Sequence, residues 1–463
     1  MREGDGELVA RLRICLDSVG VGLSCLVSQA MTLLMKRSLL TQLGWALALL
    51  GSASADGARS AADVARAAGL DVEVLPSLDL ALQRQVDKKN VSGVIAMIGR
   101  EGKIGYYETF GKRVIEGDAP MTRETLFRIY SMTKPITGMA AMILIDEGKL
   151  GLDQPLAEIL PKFADMRVQR TYDGSLTDTV PAERPITIRQ LLTHTAGLGY
   201  NIVQKGPISQ AYVQHGIVPG QVSRLPIPGL GRAPAVQGLD TFADRLAEMP
   251  LVLQPGSKWS YSVGLDLMGR VIEVASGMPF DRFLDERIFQ PTGMTSTWFR
   301  VPQSEIGRFT TNYGIVNGVP IPIDPARASI YLDEPSFPFG GAGLVSSPRD
   351  YDRFLRMLLG YGAIDGTRVM SEAAVKLGTS NILPETATTE GTWVAGQGYG
   401  AGGRVSEGSY GWGGAAGTVA FVNFAADLRA ALFTQYMPSE AYPIHEGFPA
   451  AVVSDLTAMR AAA

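Results

Sequence analysis

The chain has 463 residues, 46% hydrophobic and 19% charged, and 42 basic against 46 acidic residues leave a net charge of −4. That length suffices for two or three domains with a large core, and the apolar share excludes a disordered chain. No basic block or stripe is present, which argues against nucleic acid as a partner, and three histidines (His194, His215, His445) without an HExxH or CxxC pattern leave little material for a metal site.

The first 55 residues read as a leader. Met35-Lys36-Arg37 is a short basic start, residues 39–50 are an apolar run, and Ala53-Ser54-Ala55 is a small-residue cleavage site. Residues 1–34 form an upstream extension. The apolar run is about a dozen residues, too short for a span of about 20 helical residues. The apolar stretch over 19–35 leaves a membrane anchor open as the alternative. The reading predicts an exported protein, periplasmic or secreted, that begins at Asp56. Both cysteines, Cys15 and Cys25, fall in the leader, so the remainder has no thiol to form a disulfide.

Residues 75–90 predict a helix, with Leu75, Leu78, Leu82 and Val86 at helical spacing. Residues 92–98 and 104–110 predict two strands of a hairpin. The strongest helix is predicted over 132–148, with Met139, Ala140, Met142, Ile143 and Ile145 as its buried face and Pro135 in its first turn. Residues 188–192, 242–247 and 264–275 predict further helices. Residues 201–238 are rich in glycine and proline and predict a structureless loop, either a functional lid or a variable surface insertion. Residues 349–359 predict an amphipathic helix, 398–405, 418–423 and 428–435 successive strands, and 451–463 a closing helix. Strands early and late with helices between predict one sheet built from both chain ends. Residues 56–150 and 336–463 then form an α/β domain, and 151–335 an inserted, mostly helical domain, with the active site in the cleft between them.

Three pieces carry chemistry. Ser131-Met132-Thr133-Lys134 is the one S-x-x-K of the chain. It stands at a helix start, where backbone N–H groups face developing negative charge. Positions i and i+3 share a helix face, so the Lys134 ammonium can approach the Ser131 hydroxyl. An N-cap serine with a surface lysine would look the same. Tyr261-Ser262-Val263 offers a phenol that a nearby cation could help to act as a base, or a packed edge. Gly411-Trp412-Gly413-Gly414-Ala415-Ala416-Gly417-Thr418 is a glycine-rich stretch running into a strand, able to point an N–H at a carbonyl oxygen, or simply a turn.

In this order the three pieces resemble the serine β-lactamases and penicillin-binding proteins, and more closely the class C β-lactamases and the family VIII carboxylesterases. Leu126-Phe127-Arg128-Ile129-Tyr130, Leu191-Leu192-Thr193-His194-Thr195-Ala196-Gly197-Leu198 and Gly340-Gly341-Ala342-Gly343-Leu344-Val345-Ser346 widen the resemblance to about residues 75–460. It implies an α/β (α+β) fold with an antiparallel sheet flanked by helices. It implies Ser131 as nucleophile, Lys134 and Tyr261 as the proton-transfer pair, and the N–H groups of Ser131 and Ala415 as the oxyanion hole. Trp412 and Gly413 take the places of the lysine and threonine of K-T-G. The substrate pocket is expected to draw on Trp412, Gly413, Gly414, Tyr130, Tyr200 and Tyr410. No metal or cofactor is implied.

Two departures choose the branch. Val263 stands where a β-lactamase has the asparagine of Y-x-N. Trp412 stands where it has the lysine that meets the β-lactam carboxylate, and tryptophan cannot pair with a carboxylate. An aromatic wall suits an uncharged ester. The expected activity is therefore hydrolysis of short-to-medium-chain esters, with weak promiscuous β-lactamase action. A true β-lactamase or D-amino-acid peptidase, an acyltransferase and a non-turnover penicillin sensor are the rivals. The expected partner is a small-molecule ester. His194 reads as a structural part of its motif, and no serine lies in a G-x-S-x-G.

Overall fold

The structure is a computed structural model and describes residues 75–225, 235–442, 444, 445, 447–449 and 452. The leader over 1–55 lies outside the described residues, as does the closing helix over 451–463 except for Val452.

Among the principal elements, helix α1 (Leu75–Asp87) leads into strands β1 (Gly93–Arg100) and β2 (Lys103–Gly111). The short strand β3 (Phe127–Arg128) delivers the chain to helix α2 (Thr133–Asp146). Helices α3 (Ile188–Leu192), α4 (Pro207–Gln214), α5 (Leu239–Ala247) and α6 (Gly264–Ser276) follow. A hairpin of β4 (Asn312–Val316) and β5 (Val319–Asp324) precedes the short β6 (Val345–Ser346). Helices α7 (Pro348–Leu359) and α8 (Glu372–Gly378) come next. Five strands close the series: β7 (Gly398–Tyr399), β8 (Arg404–Ser406), β9 (Ser409–Gly414), β10 (Thr418–Asn423) and β11 (Leu428–Phe433).

Alternation along the strands explains the layers. In β1, Ile95 and Met97 enter one apolar cluster, while Val94, Ala96 and Ile98 enter another on the opposite face. The antiparallel register with β11 sets Ile95 against Phe433 and Met97 against Ala431, so both strands sort their side chains the same way. Helix α1 covers one face with Leu78 and Leu82, each stabilising by roughly 1.5–3 kcal/mol through burial. Helix α7 packs on β10 and β11 from the other side. The sheet runs β7-β8-β9-β10-β11-β1-β2, antiparallel throughout, so the first and last strand groups of the described chain share it.

The structure corrects four readings of the sequence. Residues 398–405 are not one strand: the chain turns at Ala401-Gly402-Gly403, with Gly402 at φ +76° and its N–H donating to the Leu192 carbonyl at 3.0 Å. Residues 201–238 are not structureless, because α4 starts on Pro207 and buries Ile208, Ala211 and Tyr212. A composition averaged over that stretch hides an eight-residue helix. Trp412-Gly413-Gly414 lies within strand β9 rather than ahead of a strand. Helix α2 has no single buried face: every residue from Thr133 to Leu144 is buried, because the helix runs between α6 and α8.

Candidate active site

The approach to Ser131 is a sharp turn. Strand β3 pairs with β6, Arg128 opposite Val345, and the Ile129 N–H donates to the Leu344 carbonyl at 3.0 Å. Tyr130 then takes φ +40°, a conformation rare for a side chain of its size. A short 3-10 turn over Tyr130–Met132 follows, and α2 begins. Ser131 is half-buried at the head of this helical segment, where N–H groups find no carbonyl inside the helix.

Tyr130 is a correction. The pocket was expected to include it, but its ring packs edge-on against Tyr331, and its hydroxyl accepts from Asn312 Nδ2 at 3.1 Å. The left-handed turn throws its side chain into an apolar cluster with Leu126, Phe309 and Ala342. Its contacts hold the turn that presents Ser131.

Lys134 lies one helical turn on, fully buried. Its Nζ donates to Ser131 Oγ at 3.2 Å and to the Gly341 carbonyl at 2.7 Å. It also stands 4.6 Å from the centre of the Tyr261 ring. The Tyr261 hydroxyl donates to Ser131 Oγ at 2.8 Å and accepts from Trp412 Nε1 at 3.1 Å. One serine oxygen thus meets both an ammonium and a phenol. A proton leaving Ser131 has the Tyr261 oxygen in direct reach once the phenol has given up its own proton, with a cation beside it to offset the phenolate charge.

Tyr261 is held from both sides. The Ser260 N–H donates to the His194 carbonyl at 2.9 Å, and the Val263 N–H to the Gly199 carbonyl at 3.2 Å. His194 Nδ1 accepts from the Ser262 N–H at 3.2 Å and lies 2.9 Å from Ser262 Oγ. Its ring stands 4.8 Å from the Tyr261 ring. Burial, with the Lys134 charge adding to it, pushes the His194 pKa well below its usual range, so the imidazole is neutral. Its contacts are those of a brace for the Tyr261 segment.

The remaining expected residues divide. Tyr200 backs the site: its ring is 5.1 Å from that of Tyr261 and 5.7 Å from Lys134 Nζ. Trp412 packs at 5.7 Å from Tyr261 and is half-buried. Gly414 is glycine for a packing reason, because a Cβ there would stand 2.4 Å from the Ile129 carbonyl. This close approach lays the end of β9 against the Ser131 turn and puts Ala415 at the start of the following turn. Gly413 is less confined, its nearest neighbour to a Cβ being the Thr418 carbonyl at 3.3 Å. Tyr410 is a second correction. It is buried, and its hydroxyl donates to the Ala401 carbonyl at 2.6 Å, so it braces the 401–403 turn rather than lining a pocket.

Four participants escape the sequence reading. The Gly341 carbonyl holds Lys134, and the Gly341 N–H donates to Asp266 Oδ1 at 2.8 Å. Asp266 is fully buried on α6, and burial raises its pKa to about 7 against the opposing pull of Lys134. A carboxylate set in Leu265-Asp266-Leu267-Met268 was the available signal. Trp259 stacks on Tyr261 at 5.9 Å. Trp393 completes the ring of aromatics at 5.3 Å from Tyr261.

This constellation, on a helix-flanked antiparallel sheet, is that of a serine hydrolase with the β-lactamase fold. The chain belongs to the Beta-lactamase family, whose match runs over residues 78–451. Protein Rv1367c of Mycobacterium tuberculosis is 35% identical over 377 residues, 77% of this chain and 89% of that protein. Esterase EstB of Burkholderia gladioli is 32% identical over 296 residues, 61% of this chain and 69% of the esterase. The solved structure of EstCE1, described as a hydrolase with promiscuous acyltransferase activity, matches with a TM-score of 0.65 at 26% identity, covering 86% of this chain and 100% of that one. Among the described residues no helix is long and apolar enough to cross a membrane.

Proposed function

We propose that the protein is a carboxylesterase that hydrolyses short-to-medium-chain esters through an acyl-Ser131 intermediate. Ser131 Oγ attacks the ester carbonyl as its proton passes to the oxygen of a Tyr261 phenolate, the Lys134 ammonium beside both offsetting the negative charge. The N–H groups of Ser131 and Ala415 receive the developing oxyanion, each such donor being worth roughly 3–4 kcal/mol in the transition state. The alcohol departs with the transferred proton, leaving acyl-Ser131. Water, deprotonated by the same pair, releases the acid and restores the serine. Export by the 35–55 leader would place this activity outside the cytoplasm.

The observation that carries the ester reading is the indole of Trp412 bonded to the Tyr261 hydroxyl. It fills with an aromatic donor the position where a β-lactamase keeps a lysine for the substrate carboxylate. Likeness to EstB supports the same reading. Initial rates with p-nitrophenyl butyrate and with a chromogenic cephalosporin test it. The ester should turn over with much the higher kcat/KM, and a faster cephalosporin would overturn the reading. Ser131→Ala should abolish both activities while leaving the circular dichroism spectrum intact.

Likeness to EstCE1 supports transfer of the acyl group to an alcohol as a second reading. Ester product exceeding acid product at modest added alcohol would make transfer the main reaction.

A further inference from the structure

Residues 384–397 lie in the link from α8 to β7, and the chain stitches this loop to the segment that leads into Tyr261. The Thr388 N–H donates to the Ser257 carbonyl at 3.1 Å, and the Trp259 N–H to the Thr388 carbonyl at 2.9 Å. Thr386 Oγ1 donates to the Gly256 carbonyl at 2.7 Å. Within the loop, the Ala395 N–H donates to the Thr392 carbonyl at 3.2 Å, and the Gln397 N–H to the Val394 carbonyl at 2.9 Å. Val394 is fully buried and anchors the loop.

Trp393 stands between these anchors and is 63% exposed. Its ring centre lies 5.3 Å from that of Tyr261, at an interplanar angle of 52°, and 6.3 Å from that of Trp259. The neighbouring rings of Tyr200, Trp259 and Tyr399 are buried. An indole left this open forgoes the burial that large aromatics ordinarily supply to a fold. A loop with its own hydrogen bonds nonetheless holds it against the tyrosine that touches Ser131 Oγ. One side of the ring is packed on Tyr261, and most of the rest faces solvent.

We propose that Trp393 is a specificity-determining residue that forms, with Trp412, an outer subsite for an aromatic group carried by the ester. The inference rests on the esterase reading and adds its substrate class: esters bearing an aryl ring on the acyl or the alcohol side. Both rings pack against Tyr261, at 5.3 and 5.7 Å, and the Tyr261 hydroxyl meets Ser131 Oγ at 2.8 Å, so an aryl group on these rings would lie beside the tyrosine that touches the reacting serine.

The test uses the full chain and its Trp393→Ala and Trp393→Phe variants with ethyl butanoate, ethyl 4-phenylbutanoate and 2-phenylethyl acetate, followed by acid release. Trp393→Ala should lower kcat/KM for at least one aryl ester about tenfold more than it lowers that for ethyl butanoate, the extra loss falling chiefly on KM. A phenyl ring still stacks, so Trp393→Phe should recover most of the loss. An equal fall on all three esters would make Trp393 a mere support of Tyr261 and overturn the proposal, as would an unchanged variant. Wild-type turnover of ethyl butanoate tests the esterase reading separately.

Discussion

Asp266 and Lys134 share one backbone residue between them: Gly341 donates to the carboxylate and accepts from the ammonium. Burial raises the Asp266 carboxyl to about 7, from 3.8 for the ordinary group. The unfolded chain therefore releases this proton near pH 4 and the folded chain near pH 7. Between those values the folded state binds the extra proton, so stability from this group falls as pH rises from about 4 to about 7 and is level above. Asp266→Asn keeps the acceptor for Gly341 and removes the titration. Urea midpoints at pH 5 and pH 8 should differ more for the wild type than for Asp266→Asn, and equal differences would show that Asp266 does not titrate in this window. The meeting of Ser131 and Lys134 was legible in the spacing, because a lysine three residues after a serine shares its helix face, whereas Tyr261 came from the family resemblance alone. Tyr130 and Tyr410 were misread for one reason. Aromatics near a nucleophile suggest a pocket, but a left-handed turn at Tyr130 and a tyrosine-to-carbonyl bond at Tyr410 direct them to packing. The Gly341 carbonyl could not have been found, since a backbone oxygen carries no sequence signal.

At the scale of elements, strand β3 depends on one charged residue. Arg128 is fully buried; its Nε donates to Asp324 Oδ2 at 2.7 Å, one terminal nitrogen to the Thr310 carbonyl at 2.8 Å, and the other to Ser329 Oγ at 3.0 Å. These bonds tie β3 to the end of β5 three residues before Ser131. Arg128→Met would leave the Asp324 carboxylate buried without its cation and should cost about 3–5 kcal/mol, read as a lower chemical-denaturation midpoint. Adding Asp324→Leu should recover most of that loss, because the cost lies in the unpaired charge. A double variant no more stable than the single one would contradict this account of the pair. The longer elements were legible from their periodicity, as α1, α6 and α7 illustrate. The split at Ala401 was not, because the turn serves a bond to the end of α3, far away in sequence.

For the molecule as a whole, the sheet is the joint between distant parts of the chain. Strand β1 sits between β11 and β2, and the three present the same alternation to the same two clusters. The 3-10 turn before α2 brings Ser131, α2 brings Lys134, the segment before α6 brings Tyr261, β9 brings Trp412, and the loop ahead of β6 brings Gly341. No one stretch of sequence contains the site, so its assembly depends on the entire described fold. The order of elements, strands early and late with helices between, made one shared sheet legible in advance. The loops that complete the site, above all residues 384–397, were not, because their place is set by backbone bonds to the Tyr261 segment. The proposed catalysis passes through an acyl group on Ser131. Its most direct measurement is peptide mass spectrometry of enzyme acid-quenched during turnover of p-nitrophenyl butyrate. A butanoyl mass increment on the peptide containing Ser131, absent from Tyr261 and from the Ser131→Ala variant, is the result expected. Steady ester turnover with no acyl group on Ser131, or with the group on another residue, would contradict it.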